Sequence, residues 1–239
     1  AGVPRAEQHI FAGGRPLLDH EVLGDRLRGV DPYTVSLARI DPVKAPALKA
    51  AVLERLRAGA SLREIDEHHR CDRDVVLEAV RADGGAVGLA SQELRGDREV
   101  ALAAVRQNGQ ALAALPMEMR QDRGVVLAAA RSSGDSLWWA APELRRDRDF
   151  VSAAARCDGS ALRAADRELL QDRDFVLGVV QRNGSALRHA PEALRQDRAF
   201  LLSAVQRNGF ALEHAPEPLR RERLLVQAAA AAPIRAANA

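Results

Sequence analysis

Apolar residues return along most of this chain in short bursts that keep a single phase. Between Asp172 and Gln196, Phe175, Val176, Val179 and Val180 fall at i, i+1, i+4 and i+5. That spacing lines one face of an α-helix. Asp172 stands just ahead of the burst and predicts an N-cap, because its short carboxylate can accept the orphan N–H groups of a first turn. Asn183-Gly184 closes the helix, with the glycine expected to take the left-handed conformation of a C-cap. Ala186, Leu187 and Ala190 predict a second, shorter helix, broken by Pro191. Glu192 to Arg195 adds one turn, anchored in the core by Leu194, before the next acid.

The unit repeats every 25 residues. Its capping acids are Asp72, Asp97, Asp122, Asp147, Asp172, Asp197 and Glu222, each followed by arginine. Gly59, Gly84, Gly109, Gly134, Gly159, Gly184 and Gly209 keep the same phase, and Leu194 has counterparts at Leu94, Met119, Leu144, Leu169 and Leu219. A fixed period of this length marks a stacked repeat array. No single unit can bury its apolar face, and stacking closes a continuous core. The pattern predicts a mostly α fold, with helical repeats over residues 47–227. The first unit is degenerate and lacks an acid at position 47. In the last helix Gln227 replaces Leu202 in phase, as a polar cap would. The Ala-rich tail, 228–239, is interrupted by Pro233 and expected to fray.

Residues 1–41 do not follow the repeat. Ile10-Phe11-Ala12 reads as a short strand entering a glycine turn, and Thr34 to Ile40 alternates like a half-buried strand. Gly2-Val3-Pro4, Ile10-Phe11-Ala12-Gly13, Leu17-Leu18-Asp19, Leu23 and the stretch from Val35 to Arg39 resemble the second half of ubiquitin. The resemblance implies a partial β-grasp segment and a recognition module. The first hairpin and main helix of that family have no counterpart here, and Ala38-Arg39-Ile40-Asp41-Pro42 replaces the paired glycines of a conjugated modifier. Pro42 to Pro46 reads as a linker.

The array also resembles a known family. Leu-Arg-x-Asp-Arg, followed by an apolar helix, Asn-Gly-x-Ala-Leu and the next unit, recurs at 94–112 and 194–212. This pattern is similar to the domain of unknown function numbered 4116, over roughly residues 60–230. The resemblance implies a helical repeat fold of a kind common in unicellular algae, and it implies no activity.

Composition narrows the function classes. Aromatic residues are only 3% of the chain, so the core must be built from Ala, Val and Leu. The 35 basic and 33 acidic residues are interleaved and leave a net charge of +2, a poor footprint for nucleic-acid binding. Lys44 and Lys49 are the only lysines, and the arginine bias suits bidentate bridges between units. Cys71 and Cys157 form no CxxC motif, which favours a reduced, intracellular setting in cytoplasm or organelle. No apolar run approaches the roughly 20 residues of a membrane helix. The chain starts at Ala1 rather than at methionine, which points to a processed product or a fragment.

Candidate chemistry is sparse. The Asp-Arg row reads as caps plus inter-unit bridges; its alternative is an arginine row gripping phosphates, which the adjacent acids oppose. His68 and Glu64 lack the two-His spacing of a helical zinc site, and His189 and His214, one period apart, read as surface or cap groups. No metal ligands, cofactor or catalytic residues are assigned. Trp138-Trp139 is the sharpest anomaly: in-phase positions hold Arg188-His189, Glu213-His214, Arg163-Ala164 and Ala113-Ala114. Large aromatics at such positions point to a contact patch; the alternative is that one indole folds back onto the stack. The expected function is therefore a non-enzymatic scaffold or adaptor that binds protein partners. The alternatives are an accessory subunit of a large assembly, such as an algal photosynthetic or respiratory complex, and an adaptor of the ubiquitin pathway.

Overall fold

The computed structural model describes residues 45–233 and the backbone of three short strands at 8–12, 15–17 and 35–39. Strand β1 (Gln8–Ala12) lies between β2 (Arg15–Leu17) and β3 (Val35–Arg39), antiparallel to both. Ile10 faces Leu17 on one side and Leu37 on the other. The two expected strands fall here, and the rest of 1–41 lies outside the described residues. The ubiquitin-like expectation gains no support from these three short strands, and most of the segment that carries it lies outside the described residues.

From Ala45 to Ala231 the described chain is a succession of helices. The first helix, Ala45–Arg57, starts two residues ahead of position 47. Beyond it each unit has three parts. A ten-residue α-helix opens directly after the capping acid, at Arg73–Ala82, Arg98–Gln107, Arg123–Ser132, Arg148–Cys157, Arg173–Arg182 and Arg198–Arg207. A six-residue 3-10 helix follows, as at Gly159–Ala164 and Gly184–His189. A helix of four or five residues then leads to the next acid, as at Glu192–Arg195.

The capping acids explain where the long helices begin. Asp72, Asp97 and Asp197 each accept two backbone N–H groups of the first turn. Asp122, Asp147 and Asp172 each accept the N–H three residues on. Glu222 differs from its expected role: it precedes the last helix, Arg223–Ala231, without a side-chain cap bond. Its longer side chain favours Asp, Asn or Ser geometry at a cap less well, and its carboxylate instead meets Arg198 at 2.6 Å.

The second element is a 3-10 helix rather than an α-helix. Asn108, Asp158, Asn183 and Asn208 each accept the backbone N–H two residues ahead. The backbone then closes i to i+3 bonds, Ala186 N–H to the Asn183 carbonyl and Ala190 N–H to the Leu187 carbonyl, both at 3.1 Å, and these wind the chain tighter than an α-turn. The expected left-handed C-cap is not formed: Asn183, which ends the long helix, is extended at φ -141°. Among the described residues only Gly59, at φ +96°, has positive φ. The glycines from Gly84 onward serve close approach instead. A Cβ on Gly134 would stand 2.5 Å from the Ala161 amide nitrogen, and one on Gly159 2.8 Å from that of Ala186.

Stacking closes one continuous core. Val75, Val100, Val125, Phe150, Phe175 and Phe200 are buried, as are Leu112, Leu137, Leu162 and Leu187. Leu94 and Leu144 join it, whereas Met119, Leu169, Leu194 and Leu219 are partly buried at its edge. In the last described helix Gln227 is exposed, but apolar positions beside it are exposed as well. Val226 is 47% exposed, although Val76, Ala101, Val126, Val151, Val176 and Leu201, in the same phase, are fully buried. Leu224 is exposed as well. The tail is ordered further than expected, helical to Ala231 and held by a Gly209 N–H donated to the Pro233 carbonyl at 2.9 Å.

Candidate functional site

Two side-chain systems stand out on the array: a charge ladder along the helix starts and an aromatic groove across the 3-10 helices. In the ladder, one carboxylate oxygen caps its own helix and the other receives the arginine of the preceding unit. Arg73 meets Asp97 at 2.9 Å, Arg98 meets Asp122 at 2.8 Å and Arg148 meets Asp172 at 2.5 Å. Arg123 and Arg173 pair with Asp147 and Asp197 in the same way. At the first joint Lys49 replaces arginine, 2.9 Å from Asp72 and 2.6 Å from Asp74.

Three of the ladder guanidiniums also lie over the phenylalanine ring of the next unit. Arg123, Arg148 and Arg173 sit 4.9, 5.0 and 5.2 Å from the ring centroids of Phe150, Phe175 and Phe200. The electrostatic consequence is a row of carboxylates held below the usual range. Arg73 beside Asp97 and Arg98 beside Asp122 depress those acids. Arg173, aided by the Phe200 N–H, brings Asp197 down to about 2. These arginines are engaged by acids, and three of them by rings as well. The ladder joins units.

The groove is the other system. Trp138 and Trp139 end the 3-10 helix Gly134–Trp139 and are 48% and 44% exposed. Their neighbours Leu137 and Ser136 are fully buried, so the helix is pinned from one side while the indoles stand outside. Gln110, Asp135 and Arg163 complete the lining and bring three successive units together. Trp139 Nε1 donates to Gln110 Oε1 at 3.0 Å, which fixes one indole. Arg163 meets Asp135 at 3.3 Å on the far wall. The sequence reading missed Gln110, Asp135 and Arg163. Their phase was a usable signal, since Gln110 and Asp135 lie one period apart.

The remaining candidates scatter. His214 packs edge-on against Phe210 at 5.1 Å, and burial lowers the basicity of both His189 and His214. No hydrogen bond or ring contact among the described residues joins those two histidines. Cys71 and Cys157 are partly buried, stand in different units and form no disulfide. Asp66, His68 and His69, which carried no assignment, each bring one ligand-type atom within 4.8 Å of the other two. No helix among the described residues is long and apolar enough to cross a membrane.

Comparison with protein families matches the chain to the model described as "Domain of unknown function (DUF4116)", over residues 72–120, 97–145, 122–170, 147–195 and 172–220. Each matched window opens on a capping acid and spans two units. Neither curated proteins nor solved structures provide a match.

Proposed function

We propose, from the premise that this chain belongs to the DUF4116 family, that it is a non-enzymatic scaffold that binds a protein partner through the Trp138–Trp139 groove. The observation that carries this reading is the half exposure of two adjacent tryptophans on a helix whose other face is fully buried. Aromatics are scarce in this chain, yet two stand where sibling units carry small or polar groups. Tryptophan supplies large contact area at low conformational cost and is enriched among the residues that dominate binding energy. Gln110, Asp135 and Arg163 add polar groups around the rings, the arrangement of an apolar centre with a polar rim. The regular stack underneath presents that surface with little reorganisation.

The test compares the full chain with a Trp138→Ala/Trp139→Ala double variant in quantitative affinity capture from native extract. Circular dichroism should show unchanged helicity, and a defined partner should drop by about tenfold or more, the effect of losing one to two hot-spot side chains. An identical partner profile for the two proteins would remove this groove from the reading.

A second reading, accessory subunit of a larger assembly, draws on a separate feature. Val226 and Leu224 leave the end of the stack apolar and exposed. In that case the protein should co-migrate with stoichiometric partners under mild extraction, and Val226→Glu should release it while leaving the groove-dependent partner bound.

A further inference from the structure

We propose that Asp66, His68 and His69 form a binding site for a divalent transition metal of the zinc type. The repeat itself supplies the control. His69 occupies the slot that holds Leu94, Met119, Leu144, Leu169, Leu194 and Leu219 in the other units. It is buried, with 8% of its surface exposed. Its Nδ1 is sealed from solvent and has no hydrogen-bond partner. A buried imidazole nitrogen without a partner is disfavoured relative to the leucine it replaces. A ligand for that ring reverses the preference.

The backbone departs from the repeat at the same place. Residues Glu67–Cys71 form a 3-10 helix where later units have a short α-helix. Asp66 precedes it without a side-chain cap bond. Its in-phase counterpart Asp166 does cap, accepting the Glu168 N–H at 3.2 Å. The Asp66 carboxylate is thus withheld from the local backbone. One ligand-type atom of Asp66, His68 and His69 lies within 4.8 Å of each of the others, and the two imidazole centroids are 4.1 Å apart. Around a single zinc ion, with ligand bonds of about 2.0–2.2 Å, such atoms stand about 3.3–3.5 Å apart. Small side-chain rotations close that difference.

The donor set selects the ion. Two imidazoles and one carboxylate suit zinc, cobalt or nickel, whereas calcium and magnesium require oxygen donors. Three protein ligands leave a fourth position for water. The site precedes the first capping acid, Asp72, so bound metal would brace the N-terminal joint of the stack.

The experiment uses the full chain without a histidine tag, stripped by chelator and titrated with zinc and then cobalt. One ion per chain is expected, with a visible cobalt spectrum and no competition from magnesium. Asp66→Asn and His68→Ala should each weaken binding about tenfold or more, at least the loss typical of an altered supporting shell. His69→Leu, which restores the residue type of the other units, should abolish binding and raise the melting temperature of the metal-free protein. Absence of a one-to-one site overturns the proposal. So does unchanged stoichiometry in the Asp66→Asn/His68→Ala double variant, which would place the ion on His9, His20, His189 or His214.

Discussion

Gly159 and Gly178 share a side-chain type and nothing else. A Cβ on Gly159 would press within 2.8 Å of the next unit's backbone, while one on Gly178 would meet only the Arg182 side chain at 3.4 Å. Gly159→Ala is therefore expected to cost about 1–3 kcal/mol, the range for overpacking a tight contact. Gly178→Ala, inside the helix Arg173–Arg182, should stabilise by up to about 1 kcal/mol through helix propensity. Urea denaturation of both variants measures the contrast. A neutral Gly159→Ala would refute the close-approach account. The sequence displayed the periodic glycines but not their reason, because a left-handed cap and a close contact both call for glycine. Trp138 and Trp139 were legible as outliers of phase, whereas Gln110 and Arg163 look ordinary until neighbouring units bring them to one groove.

At the scale of elements, each long helix is fixed at its start by a carboxylate with two tasks. Asp172 accepts the Phe175 N–H at 2.9 Å and receives Arg148 at 2.5 Å. Asp172→Ala removes both and is expected to cost about 1–2 kcal/mol, most of it the cap. Asp172→Asn keeps an acceptor oxygen and should cost less, since exposed ion pairs contribute about 0.2–1 kcal/mol. Equal losses in the two variants, read by thermal melts, would mean that charge rather than capping positions this helix. The helix starts could be read directly, because an Asp cap is a local device. The 3-10 geometry of the second element could not. Its apolar spacing, Ala186, Leu187 and Ala190, is compatible with either helix, and only the structure shows the i to i+3 backbone bonds, Ala186 N–H to the Asn183 carbonyl and Ala190 N–H to the Leu187 carbonyl, that make it 3-10.

At the scale of the whole molecule, the described array is a stack whose joints repeat a cation–carboxylate pair, so a weak effect recurs along its length. The ladder acids Asp97, Asp122, Asp147, Asp172 and Asp197 are held below the ordinary carboxylate range, first by their arginine partners. A group depressed on folding contributes stability that is complete above its unfolded value, near pH 4. That contribution is lost as pH falls through the folded value, about 2 for Asp197. Helicity followed between pH 6 and pH 2 should therefore hold to about pH 4 and weaken below it. An Asp97→Asn/Asp122→Asn/Asp147→Asn variant should show a shallower decline. An unchanged acid profile in that variant would move the acid sensitivity elsewhere.

What the sequence determined on its own is the period, the start of each long helix and the apolar face each turns inward. These follow from local chemistry and from a spacing that only one backbone geometry can satisfy. Tertiary structure decided which surfaces meet. It gave the periodic glycines their function, coupled each arginine to the acid 24 residues ahead, and left Val226 uncovered at the end of the stack. It also gathered Asp66, His68 and His69. Those outcomes depend on distances between residues remote in sequence or on a break in local symmetry, and neither is written in the pattern of a single unit.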